Sequence, residues 1–274
     1  MTSRILSLAA LTVLELSPPD MVSCAAEAGY SHVGLRLLPA TPTEPQHDIV
    51  GDTPLLRETL ARLADTGVAV SDIEILRLKP ETRVADFLPV LETGARLGAR
   101  DVLVAGNDAE PTRLADNFAL LCELGAPLNL VMNIEPMPWT DVRNLKDAAA
   151  LLASANRPAN AGVLIDAIHF DRAGCRIEEI AELPEGVLRY AQLCDAPADK
   201  PRDIDELLLQ ARAERMTPGE GGLKLAELLR ALPATLPLSI EVPQATLART
   251  VGAVERARRL REASERLLER VFGA

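Results

Sequence analysis

Eight short apolar runs recur along the chain, and helical periodicity fills the intervals between them. The runs cover residues 5–11, 32–37, 69–76, 101–105, 129–135, 162–166, 188–194 and 236–242, with starts 26 to 48 residues apart. Most of these runs do not alternate apolar with polar residues, so they read as strands covered on both faces, the mark of a parallel sheet. The helical patterns lie at 19–28, 54–66, 84–97, 111–124, 141–155, 177–183 and 223–232, and a last helix at 247–271 closes the chain. Glycines at 29, 67, 98 and 125 stand where a helix stops and a strand begins, and there the left-handed cap conformation is expected.

Eight such units, without a linker or a break in composition, predict a single (β/α)8 TIM barrel over 1–274, the fold class being α/β. A length of 274 residues would also accommodate two average domains, but no boundary separates them. The rival fold is an open doubly wound sheet. It would call for a G-x-G-x-x-G or P-loop after the first strand. The one glycine-rich stretch, Pro218-Gly-Glu-Gly-Gly222, comes late and lacks the Lys-Ser/Thr of a P-loop. The helix 247–271 is expected to pack on the barrel, a homo-oligomer contact being its alternative use.

Charge and composition narrow the partners. A net charge of -11 with only 3% aromatic residues disfavours nucleic acid, because the surface repels phosphate and offers few rings for stacking. No apolar stretch nears the roughly 20 residues that cross a bilayer, so no membrane partner is expected. Residues 1–16 begin like a secretion signal, but Glu15 interrupts the run and Ser17-Pro-Pro-Asp20 opens a helix at once. Cys24, Cys122, Cys175 and Cys194 are scattered and read as free thiols, which points to a cytoplasmic protein.

In a barrel of this kind the chemistry sits at the C-terminal ends of the strands. Four of the last runs end on an oxygen donor: Asn-Ile-Glu135-Pro, Leu-Ile-Asp166, Tyr-Ala-Gln192 and Ser-Ile-Glu241. One buried carboxylate at a strand end is ordinarily a cap or an ion-pair partner. Four donors at matching depth on successive strands would instead surround one divalent cation. Three carboxylates and an amide suit Mg²⁺ or Mn²⁺ better than Zn²⁺. A lone histidine is usually structural, but His169 follows Asp166 by three residues, which places it for acid–base work. His32 and His47 read as structural or surface residues.

The elements Asn-Ile-Glu135-Pro, Asp166-x-x-His169, Gln192-Leu-Cys-Asp195, Pro218-Gly-Glu-Gly and Ile-Glu241-Val-Pro together resemble the xylose-isomerase-like barrel superfamily, its sugar phosphate isomerase/epimerase group. The resemblance spans essentially the whole chain. It implies one metal ion held by Glu135, Asp166, Gln192 and Glu241. It also implies an isomerase or epimerase acting on a sugar, sugar phosphate or hydroxy-keto acid through an enediolate, with Glu135 and Glu241 as bases beside His169. Strand seven of the family usually carries histidine where this chain has Gln192. That variant resembles some 3-dehydroshikimate dehydratases, so a lyase with the same metal site is the alternative. A barrel that binds a ligand without chemistry is the third reading.

The substrate is expected to be a small, anionic molecule. Arg36, Glu74, Arg77 and Arg215 fall at strand ends or loops of the same mouth. A single exposed arginine there would be a surface ion pair worth at most about 1 kcal/mol. Three of them on an acidic protein suggest a positive pocket for a carboxylate or phosphate. Trp139, just past Glu135, would wall that pocket or simply pack its loop.

Overall fold

The computed structural model describes residues 4–273. Eight parallel strands close into a barrel in chain order. They are β1 (Leu6–Leu8), β2 (His32–Arg36), β3 (Ala69–Leu78), β4 (Asp101–Gly106), β5 (Val131–Ile134), β6 (Ala161–Asp166), β7 (Leu188–Leu193) and β8 (Leu238–Ile240). Closure comes from β1 pairing with β8, Ser7 opposite Ser239. Residues 1–3 and 274, which belong to the predicted domain, lie outside the described residues.

Two separate apolar layers hold this architecture. The larger lies between the strands and the outer helices and includes Leu35, Leu76, Phe118 and Ile240, all essentially without exposure. The smaller fills the lumen with Ile75, Leu103, Leu164 and Tyr190, and Met137 caps it from above. This lumen layer plugs the barrel and separates its two mouths.

Local signals explain most helix boundaries. Helix Pro54–Thr66 begins with Pro at its first position, and Thr53 accepts from the Leu56 amide. Its stop is Gly67 at φ 71, a conformation glycine reaches without steric cost. Gly29 stops helix Pro18–Ala28 in the same way. Gly125 does not. It is the last residue of helix Pro111–Gly125 and adopts φ -80, and the left-handed turn falls on Asn129 instead. A Cβ at 125 would come within 2.2 Å of Met132 Cε, so a larger residue there would make the methionine shift.

Other expectations are corrected at element ends. The first strand stops at Leu8 and passes into a 3-10 turn, Ala10–Val13, whose Thr12 hydroxyl donates to the Ile240 carbonyl at 2.8 Å. The single helix expected at 247–271 is two, Ala245–Ala248 and Ala253–Phe272, separated around Gly252. The second of these packs on helix Pro18–Ala28 through Ala257, Leu260 and Leu267. Two helices were not expected at all: Ala167–Arg172, capped by Asp166, and Ile204–Arg212, capped by Asp203.

Among the described residues no helix is long and apolar enough to cross a membrane. All four cysteines are free, and only Cys175 is not fully buried.

Candidate active site

The strand ends bring the predicted donors to one mouth. Asp166 ends β6 opposite Gln192 of β7, and Gln192 pairs in turn with Ser239 of β8. Glu241 lies two residues beyond Ser239 and therefore faces the same way. Glu135 continues β5 by one residue, its amide donating to the Val104 carbonyl at 2.9 Å. All four side chains are buried.

Asp166 serves two neighbours at once. Its Oδ1 accepts from the amides of Ile168 and His169, so the carboxylate caps the helix that carries His169. This cap turns the imidazole toward the cluster. His169 Nε2 lies 3.6 Å from Glu135 Oε1 and Nδ1 lies 3.8 Å from Asp166 Oδ1. The Trp139 ring meets the imidazole edge to face, with centroids 4.8 Å apart, a favoured aromatic geometry. Arg212 covers the other side of that indole at 5.4 Å.

Arg215 organises the opposite side. Its Nη1 donates to Asp166 Oδ2 at 2.6 Å and its Nη2 lies 2.9 Å from Glu241 Oε2, while Nε donates to the Ala211 carbonyl. Its guanidinium lines the pocket, yet most of its donors are spent on these protein groups. The Pro218–Gly222 motif is the scaffold for this turn. Asp195 accepts from the amides of Gly219, Gly221 and Leu223, each at 3.0 Å. Gly221 has no room for a side chain, because a Cβ would stand 2.4 Å from Asp195 Oδ1. The glycine-rich stretch is thus a folded anchor.

Burial and charge set the protonation of the cluster. Burial drives His169 down to about 4, against the pull of Asp166, so the imidazole is neutral at neutral pH. Burial together with the charges of Glu241 and Asp166 raises the Glu135 carboxyl. Asp166 moves the other way: burial opposes its charge, but Arg215 and His169 outweigh burial. Glu241 rises to about 8, burial exceeding the help it receives from Arg215.

The remaining expected residues form one wall of the mouth. Arg36 pairs with Glu74 at 3.3 Å and with Glu44 at 3.1 Å, and Arg77 donates to Asn107 at 3.0 Å. The pocket they share with Glu135, Trp139, His169 and Glu241 is tight, about 50 Å³. Arg212 and Glu44 belong to this wall and were not foreseen. Arg212 sits in the helix that sequence periodicity missed, and Glu44 in a Pro-rich loop without any strand-end signal.

The donor chemistry fits a hard divalent cation. Glu135, Asp166 and His169 each offer an atom, all within 4.8 Å of one another. Gln192 donates its Nε2 to Glu241 Oε1 at 3.0 Å, leaving its buried Oε1 without a hydrogen-bond partner among the described residues. A buried carbonyl oxygen without a donor is a natural ligand for a cation. The imidazole of His169 belongs to this group by distance.

Fold and site together define an α/β barrel whose mouth gathers carboxylates, an amide and an imidazole in an arrangement able to hold one cation. A model of the xylose isomerase-like TIM barrel family matches residues 22–269. The chain belongs to that family. It is 32% identical over 154 residues to a 3-dehydroshikimate dehydratase of Pseudomonas aeruginosa, a match that covers 53% of this chain and 24% of that enzyme. This chain therefore matches about a quarter of its curated relative. Among solved structures, a xylose isomerase-like TIM barrel/4-hydroxyphenylpyruvate dioxygenase fusion protein superposes with a TM-score of 0.80 at 21% identity, covering 98% of this chain and 43% of that one. The IolI protein, solved with a bound zinc atom, superposes with a TM-score of 0.76 at 20% identity, covering 98% and 100%. At these identities the two structures speak for the fold alone.

Proposed function

We propose that this barrel is a divalent-metal-dependent lyase that removes water from a cyclic hydroxy-keto acid of the 3-dehydroshikimate type. The observation that carries the reading is the one-sidedness of the acid–base groups. An epimerase needs a second base facing the first across the substrate, and Glu241 is the residue available for it. Both Glu241 oxygens are bonded, one to Gln192 and one to Arg215. His169 is neutral, and its Nδ1 has no hydrogen-bond partner among the described residues. Elimination of water requires a single group that takes a proton and returns it. The identity shared with the dehydratase over half of this chain supports the same choice.

Glu135, Asp166, Gln192 and Glu241 would hold the cation, with Mg²⁺ or Mn²⁺ favoured by the oxygen donors. When bound, it supplies the positive charge that acidifies the carbon next to the substrate carbonyl. His169 takes the proton from that carbon, and the electron pair forms the enolate. The imidazolium then gives the proton to the β-hydroxyl, which leaves as water while the carbon–carbon double bond forms. Enolisation of the resulting ring gives a dihydroxybenzoate. Arg77 and Arg212 face the same pocket and offer guanidinium groups to the substrate carboxylate.

Incubation with 3-dehydroshikimate and Mg²⁺ or Mn²⁺ tests the reading through the ultraviolet absorbance of the aromatic product. Product formation is expected. Sugar epimerisation with solvent deuterium uptake, and no aromatic product, would return the isomerase reading.

A further inference from the structure

Below the plug of Ile75, Leu103, Leu164 and Tyr190, the barrel opens at its N-terminal mouth onto a cavity of about 550 Å³. None of the candidate catalytic residues reaches it. In most barrels the lumen is packed with branched apolar side chains, and this end departs from that pattern. Ser7 and Ser71 lie 2.7 Å apart, and the Ser71 hydroxyl donates to Asp72 Oδ1 at 2.6 Å. Ser7 and Asp72 are themselves buried.

Tyr190 points to a ligand independently of that chain. It is 5% exposed and lines the cavity, and its hydroxyl has no hydrogen-bond partner among the described residues. Buried hydroxyls are otherwise almost always satisfied. Over this floor stand two exposed guanidinium groups, Arg100 and Arg189. Asp101 lies 3.8 Å from Arg189 and accepts from the Asn133 amide at 2.9 Å, so it balances one of the two charges. Burial and the charge of Glu74 push the Asp72 carboxyl up to about 8, so it holds its proton and adds no charge at neutral pH. One positive charge is left over, above a floor of hydroxyl groups.

We propose that the cavity at the N-terminal mouth is a second small-molecule site, which takes a hydroxylated monocarboxylate. The carboxylate would sit between Arg100 and Arg189, and the hydroxyls would reach Tyr190, Asp72 and Ser7.

Titration calorimetry of the whole chain with shikimate, a ring with several hydroxyls and one carboxylate, tests the proposal without using catalysis. Saturable binding is expected in the unaltered protein and in Arg77→Ala, which disables only the opposite mouth. The double variant Arg100→Ala/Arg189→Ala should raise Kd at least tenfold, and Tyr190→Phe about threefold to tenfold. Both arginines are exposed, so an unchanged Tm is expected for the double variant. Absence of binding, or binding abolished by Arg77→Ala and untouched by the double variant, overturns the proposal and leaves a water-filled vestibule.

Discussion

Asp166 at one mouth of this barrel and Asp72 at the other are buried in opposite ways. At the C-terminal mouth, Asp166 and Glu241 share the guanidinium of Arg215 and stay packed around a tight pocket. At the N-terminal mouth, Asp72 forms no ion pair among the described residues and is neutralised by its own proton. Asp166 keeps its charge by drawing on a counter-ion, whereas Asp72 gives its charge up to a proton, as Glu241 does at a similar value. Burial penalises ionised groups equally at both ends, so the difference lies in the neighbours. A carboxylate with a fixed counter-ion stays an acceptor. A protonated carboxyl is instead a hydrogen-bond donor, suited to neutral hydroxyl groups.

The comparison breaks first at His169. If the C-terminal mouth holds the acid–base group, His169→Asn should lower kcat on 3-dehydroshikimate by about a thousandfold. The same change should leave Tm nearly unmoved, because the backbone amides bonded to Asp166 remain. Steady-state turnover and a thermal melt on one preparation check both halves. Retained turnover would transfer the role to Glu135.

The placement of the strand-end donors was legible because they lie on or just past regular elements. Glu135, Asp166, Gln192 and Glu241 each follow an apolar run, and strand register alone carries them to one depth. The barrel followed from the same runs. Arg212 escaped because its helix, Ile204–Arg212, is only nine residues long and lies inside the long connection between β7 and β8, where a single helix, 223–232, was expected. The shared use of Arg215 was hidden too. Its contacts to Asp166 and Glu241 span 49 and 26 residues, and they depend on the Asp195 anchor closing the Pro218–Gly222 turn. The cavity at the N-terminal mouth gave no signal, since serines and an aspartate at strand starts look like ordinary surface positions.

A smaller effect probes the counter-ion itself. Arg215→Met keeps an unbranched apolar stem but strips Asp166 and Glu241 of their guanidinium. Removing one partner of a buried pair typically costs about 3–5 kcal/mol, which for a chain of this size corresponds to a fall in Tm of roughly 5–10 °C. Urea unfolding of both proteins measures the difference. Arg215→Lys should recover only part of it, since an ammonium cannot span both carboxylates as the fork does.

The smallest effect tests the other side of the comparison, and its sign is the informative part. Asp72 has an ordinary value of 3.8 and is raised to about 8 by burial and by Glu74. Well below pH 3.8 the carboxyl is protonated in both folded and unfolded chains and does not alter stability with pH. As pH climbs from about 4 to 8, the unfolded chain releases this proton while the folded chain keeps it, so stability falls. Asp72→Asn has the same shape, can still accept from Ser71, and does not titrate. The variant should therefore match the unaltered protein near pH 4 and exceed it by about 1–3 kcal/mol at pH 8. Urea unfolding at both pH values gives the difference, and other titrating groups cancel between the two chains. An Asp72→Asn variant that loses stability at pH 8 would mean that Asp72 is ionised and paired there, and Asp72 and Asp166 would then be buried by the same device.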